Sequence, residues 1–186
     1  NLLFKSKNGQ VVNRVIKDLE PDRQHDNWMA EIKKDKEGNI WIGGYNGLSR
    51  WDEKNNEFVQ YFKGSNGNDV PQNHMVTSLL RDFEDILWVG TVNGLSQFDE
   101  EAGEVSRFFL NKRDTINPGF NVVSDIFKDK KSQLWVGMFN GAGLYQFNPK
   151  TLVGKNYLDR LDVLDMYQDQ NGVLWVGTSD GLYSYS

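Results

Sequence analysis

The sequence predicts an all-β chain built as a β-propeller of four-stranded antiparallel blades, about four of them present, as part of a larger ring of the seven-bladed type. Three observations carry this. One motif recurs four times, as Ile40-Trp41-Ile42-Gly43, Leu87-Trp88-Val89-Gly90, Leu134-Trp135-Val136-Gly137 and Leu174-Trp175-Val176-Gly177. Its tryptophans are spaced by 47, 47 and 40 residues, which is the period of a propeller blade. An Asp stands six residues before each Trp (Asp35, Asp82, Asp129, Asp169), and a turn dipeptide follows at Asn46-Gly47, Asn93-Gly94, Asn140-Gly141 and Asp180-Gly181.

Each repeat reads as short strands with turns between them. The first strand is an apolar run over residues 29–33, 76–80, 122–127 and 163–167. It ends at the Asp-bearing turn, where a carboxylate can bond nearby backbone amides. The Trp-bearing run is the second strand, its β-branched and aromatic content suiting a pleated, buried surface. Asn-Gly or Asp-Gly then supplies the φ > 0 residues of a tight hairpin. A third strand covers 48–51, 95–98, 144–147 and 182–185, and a fourth, alternating in the strand manner, covers 57–62 and 104–110. Counting back one 47-residue period from Trp51, Phe58 and Phe62 reaches Phe4, Val11 and Val15, so the first twenty residues read as the last two strands of a preceding repeat. The expected blades are therefore 1–20 (partial), 28–62, 75–110, 121–158 and 161–186 (partial).

A single sheet of this kind cannot bury both faces alone, so Trp41, Trp88, Trp135 and Trp175, with Gly43, Gly90, Gly137 and Gly177, are read as scaffold packed against the neighbouring blade. A seven-bladed ring needs roughly 315 residues at ~45 per blade. The 186 residues present thus favour part of a ring over a closed four-bladed one. Two departures stand out: Asp85 replaces the turn glycine of the second repeat, and the third repeat carries an insertion, Asn140-Gly141-Ala142-Gly143-Leu144, expected to widen one hairpin.

Composition removes several function classes. With 21 Lys+Arg against 26 Asp+Glu the net charge is −5, which argues against a nucleic-acid binder. An aromatic share of 13% within 38% hydrophobic residues demands a packed core and not a disordered segment. The absence of cysteine excludes disulfide frameworks, thiolate metal sites and cysteine nucleophiles. No apolar run approaches the ~18–20 residues of a membrane span, and residues 1–5 lack the apolar stretch of a signal peptide, so any targeting segment of an exported protein is expected outside this chain. No Ser/His/Asp arrangement, phosphate-binding loop or His-Glu motif occurs; no catalytic residue, metal or cofactor is expected. The four repeated aspartates occupy equivalent turns of separate blades and read as turn formers. His25 and His74 have no His or Cys companions and read as solvated loop residues.

The unit D-x-x-G-x-[IL]-W-[IV]-G-x-x-[ND]-G-L, complete at residues 169–182, closely resembles the two-component regulator propeller repeat. The resemblance covers nearly the whole chain, and its Leu-Trp-Val-Gly-Thr core with Asn-Gly-Leu in register separates it from WD-repeat, kelch and quinoprotein units. Streptogramin lyase propellers are the nearest confusable family. The resemblance implies a periplasmic sensor segment of a hybrid two-component histidine kinase of the Bacteroidetes kind, which binds oligosaccharides from glycan breakdown and controls polysaccharide-utilisation genes. It also implies partners outside this chain, namely the remaining blades and the Ig-like and kinase segments of a homodimeric parent, and no catalysis by the segment itself. Two alternatives stay open: a propeller acting only as a protein-interaction or dimerisation scaffold, and a streptogramin-lyase-like enzyme using His74 as base beside a metal.

Subtracting what every repeat shares leaves candidates for a ligand site. In a propeller, the segment leading into each inner strand and the turn between strands two and three open on one face, and function is most often carried on such loops. Four residues after the Trp the chain reads Tyr45, Val92, Phe139 and Ser179; thirteen before it, Trp28, Met75, Val122 and Asp162. Sugars present apolar C–H faces ringed by hydroxyls, so Trp28, Tyr45 and Phe139 are the expected platform. Arg23, His25, Asn27, Asn73, His74 and Asn121 are the expected polar contacts.

Overall fold

The computed structural model describes residues 2–5, 11–14, 29–45, 47–61, 75–100, 102–110 and 121–186. Its strands are β1 (Leu2–Lys5), β2 (Val11–Arg14), β3 (Met29–Lys34), β4 (Ile40–Gly44), β5 (Gly47–Asp52), β6 (Glu57–Gln60), β7 (Val76–Arg81), β8 (Leu87–Thr91), β9 (Gly94–Asp99), β10 (Glu104–Phe108), β11 (Val123–Lys128), β12 (Leu134–Met138), β13 (Gly143–Asn148), β14 (Val153–Asn156), β15 (Val163–Gln168), β16 (Leu174–Thr178) and β17 (Gly181–Tyr185). Each sheet is a meander of sequential neighbours: β1–β2, a first blade β3–β6, a second β7–β10, a third β11–β14 and a fourth of three strands, β15–β17. This is the all-β propeller-blade architecture that the repeats predict. The chain divides into two compact units, residues 1–76 and 77–186.

Turn chemistry fixes the meanders. In the second and fourth blades Thr91 pairs with Gly94 and Thr178 with Gly181, leaving two-residue turns. The Thr91 hydroxyl donates to the Gly94 carbonyl and accepts from the Asn93 N–H, both at 3.0 Å, and Thr178 does the same for Gly181 and Asp180 at 2.9 and 3.2 Å. Gly94 sits at φ +109°, where an L side chain is strained, and a Cβ there would lie 2.8 Å from the Phe108 carbonyl oxygen. In the third blade Met138 pairs with Gly143, so Gly143 and not Gly141 is the equivalent residue. The insertion does more than widen this hairpin. The Asp162 carboxylate accepts from the Gly141 N–H at 2.6 Å, and the Arg160 N–H donates to the Gly141 carbonyl at 3.0 Å, so the longer turn is fastened to the segment leading into the fourth blade.

The core lies between blades. Within residues 77–186, Trp88, Leu95, Val123, Ile126, Val136, Tyr145 and Phe147 form one buried cluster joining the second and third blades. Trp135, Leu144, Val163, Met166, Leu174 and Val176 form another joining the third and fourth. The glycine two residues after Trp88 and after Trp135 explains how these sheets come so close. A Cβ at Gly90 would stand 2.6 Å from Val123 Cγ1, and one at Gly137 would stand 2.5 Å from Val163 Cγ1. The inner strand of the following blade therefore inserts a valine where only glycine leaves room.

Candidate functional site

The repeated aspartates are joints. Each lies on the turn after the blade's first strand and uses its two carboxylate oxygens separately. Asp82 Oδ1 accepts from the Glu84 and Ile86 N–H groups at 2.9 and 3.0 Å, while Oδ2 accepts from the Trp88 indole at 3.0 Å. Asp129 repeats this with Lys131, Gln133 and Trp135, and Asp169 with Asn171, Val173 and Trp175. In the first blade Asp35 bonds the Asn39 N–H and the Trp41 indole at 2.7 and 2.9 Å. The Trp175 indole N–H is the leading cause that holds the Asp169 carboxyl below the ordinary carboxylate range. Among the described residues no group of three or more His, Asp or Glu side chains is placed to hold a metal.

Of the expected ligand residues, Trp28, Arg23, His25, Asn27, Asn73 and His74 lie outside the described residues. Tyr45 occupies the β4–β5 turn of the first blade and is 52% exposed. Phe139 opens the longer β12–β13 turn of the third blade and is partly buried; its N–H donates to the Val122 carbonyl at 2.9 Å and its carbonyl accepts from the Ala142 N–H. Asn121 is 3% exposed and lies just before β11. The turn between strands two and three thus presents an aromatic side chain in two blades, freely from the first and half-covered from the third.

A cleft of about 590 Å³ opens between the second and third blades on the side of the Asp-bearing turns. Phe147, Trp88 and Val153 contribute apolar wall; Gln133, Gln146, Lys128, Lys150 and Lys155 contribute polar groups. Lys128 reaches across from β11 to Asp82 at 2.8 Å and Glu84 at 3.2 Å. Burial works against its charge, but the hydrogen bonds it donates to these two carboxylates outweigh it and raise the ammonium above its ordinary value. Burial likewise acts to raise the Asp82 carboxyl, yet Lys128, the Ile86 N–H and the Trp88 indole together bring it below its ordinary value. Sequence reading did not find this cleft. Lys128 comes from the first strand of the third blade, Asp82, Glu84, Gln133 and Lys150 from turns, and Trp88, Gln146, Phe147 and Lys155 from later strands, and only the blade-to-blade packing brings them together.

Residues 157–180, which contain the Asp169 turn and the Trp175 strand, match the two component regulator propeller model. The fourth blade carries a two component regulator propeller repeat. By its fold this propeller is similar to the extracellular domain of a B. thetaiotaomicron protein named as a hybrid two component system, with a TM-score of 0.74 at 21% identity over 96% of this chain and 23% of that one. A second B. thetaiotaomicron extracellular domain, named as that of a one component system, gives 0.71 at 21% identity with the same coverage. Virginiamycin B lyase from Staphylococcus aureus gives 0.63 at 11% identity over 97% of this chain and 61% of the lyase. At these identities the likeness is one of fold. The chain spans about a quarter of the length of the two B. thetaiotaomicron domains. No curated protein matches the sequence.

Proposed function

We infer that this propeller segment is the ligand-sensing part of an extracytoplasmic two-component receptor, that it recognises oligosaccharides from glycan breakdown, and that it relays to a histidine kinase segment outside this chain. The observation that carries the reading is the regulator propeller repeat at 157–180, whose Asp, Trp and Gly pattern recurs in the other three blades. Tyr45 supports the ligand class, since an exposed aromatic ring on a hairpin turn offers a flat surface to the C–H face of a sugar. The backbone of that turn needs no tyrosine, as Val92 and Ser179 stand at the equivalent positions of the second and fourth blades. The partners of this reading are the parent's further blades and kinase segments, and its compartment is the periplasm.

A thermal-shift screen against a panel of neutral and acidic oligosaccharides, with and without divalent metal, tests it. A ligand that binds only the folded state raises the melting point by mass action. The expected result is a shift with one glycan class that Tyr45→Ala or Trp28→Ala reduces while leaving the unliganded melting point in place. A folded protein that shifts with no member of the panel rejects sugar sensing by these blades.

A further inference from the structure

The cleft between the second and third blades carries groups that the scaffold does not account for. Asp82 is bound on both oxygens and belongs to the turn. Lys155 and Lys150 line the same cleft, and among the described residues neither ammonium is paired with a carboxylate. The Lys155 Nζ stands 4.6 Å over the Tyr157 ring, which holds the charge in place without neutralising it. Gln146 accepts from the Tyr157 hydroxyl at 3.0 Å and donates to the Gln133 carbonyl oxygen, so Gln133 brings its amide N–H groups to the wall.

Lys128 adds a second kind of site. Its side chain is 8% exposed and its firm partner is the buried Asp82, whereas its other partner, Glu84, is 69% exposed and bonded at the longer distance. Glu84 is therefore the displaceable carboxylate, and an incoming anion can take its place on the ammonium. A volume of about 590 Å³ falls within the ~300–1,000 Å³ of small-ligand pockets, and an apolar wall with a few convergent polar groups is their usual construction.

We propose that the cleft between the second and third blades binds an acidic saccharide, its carboxylate held by Lys128 and Lys155 in the place of Glu84, its hydroxyls by Gln133, and its C–H face against the exposed Val153. The saccharide class rests on the sensing reading above; the negative charge and the location come from the cleft itself. This site opens on the side of the Asp-bearing turns, and all the residues that line it fall within 77–186.

The test is calorimetric titration of the intact chain with a glucuronate-containing disaccharide and with its neutral glucose counterpart. Binding of the acidic sugar is expected to exceed that of the neutral one by at least tenfold. Lys155→Gln, on an exposed strand position that no core contact requires, should lower the affinity by about tenfold. Glu84→Gln should raise it several-fold, because it removes the competitor; a purely structural role for Glu84 would not change affinity in that direction. Equal binding of the two sugars, no binding of either, or an affinity indifferent to both variants overturns the proposal. Tyr45→Ala separates the two readings: loss of all sugar binding in that variant, with Lys155→Gln unaffected, overturns the cleft and leaves the sensing reading standing.

Discussion

At Asp82 one carboxylate holds three parts of the molecule: its own turn through the Glu84 and Ile86 N–H groups, its own second strand through Trp88, and the next blade through Lys128. Its side chain is almost wholly buried, so removing it leaves an indole N–H and an ammonium without their partner. Asp82→Ala should cost about 3 kcal/mol of stability, in the range for breaking a buried, hydrogen-bonded ion pair. Asp169→Ala should cost less, because its Trp175 is only partly buried and among the described residues no lysine side chain bonds its carboxylate. The pH dependence follows from the directions of the shifts. The Asp82 carboxyl lies below its ordinary value of 3.8, so its contribution is complete above about pH 4 and is lost as pH falls through the depressed value. Lys128 lies above its ordinary 10.5, so its share is complete below that value and is lost only as pH rises through the raised one. Denaturant unfolding of wild type and Asp82→Asn should therefore differ by a constant amount from about pH 4 to 10 and converge in acid; a difference that persists unchanged to pH 2 contradicts the assignment. The sequence carried a signal for this joint that a turn-only reading of the aspartates overlooks. A buried indole N–H needs an acceptor, and Asp is the side-chain acceptor standing at one constant offset from every repeated Trp.

Between elements, the recurring unit is a socket. Gly90 and Gly137 admit Val123 and Val163 of the next inner strand, and an aromatic triad closes each junction: Trp88, Phe108 and Phe147 in one, Trp135, Tyr157 and Tyr185 in the other. Adding a methyl tests the socket directly. Gly137→Ala should destabilise by about 1–3 kcal/mol, the usual cost of overpacking, because the new Cβ would meet Val163 within 3 Å. Gly177→Ala should change stability by no more than about 0.5 kcal/mol, since the nearest atom to its Cβ is the Asp165 carbonyl oxygen at 3.8 Å. Equal losses for the two variants in a denaturant titration would refute the socket. The strands, the turns and the repeat were legible in the sequence because a local pattern writes them: hydrophobic alternation, Asp at the bend, Gly at the hairpin. The cleft was not, since its members meet only through the packing of two blades; the triads do recur at equivalent positions, Phe147 and Tyr185 each standing opposite the Leu before a repeated Trp, but no pattern says which blade they pack against. Ser132 was also hidden. It adopts φ +62° and Asp85 φ +67° where Gly38 and Gly172 stand in the other blades, so only the register of the repeat, and not the local Lys-Ser-Gln, announces a left-handed residue.

Across residues 77–186 stability is distributed by neighbours, as in other repeat architectures where each unit contacts only the adjoining ones. The third blade is covered on both sides, by the cluster around Trp88 and Ile126 and by the cluster around Trp135 and Val163. The fourth takes part in only the second of these clusters. Its Leu182 is 69% exposed, where the equivalent Leu144 of the third blade is 2% exposed, and every residue of β17 is exposed. Opening the fourth blade therefore sacrifices one shared core, whereas opening the third sacrifices two. Local unfolding free energies should rank accordingly, because regions with fewer buried contacts open below the global transition. Amide hydrogen exchange followed by mass spectrometry reads that ranking. Peptides from β12 should be the slowest to exchange within residues 77–186, those from β16 intermediate, and those from β17, bonded among the described residues to a neighbour on one side only, the fastest. Exchange at one common rate across β12, β16 and β17 would mean that the third and fourth blades open as a single cooperative unit, and the additive picture would fail.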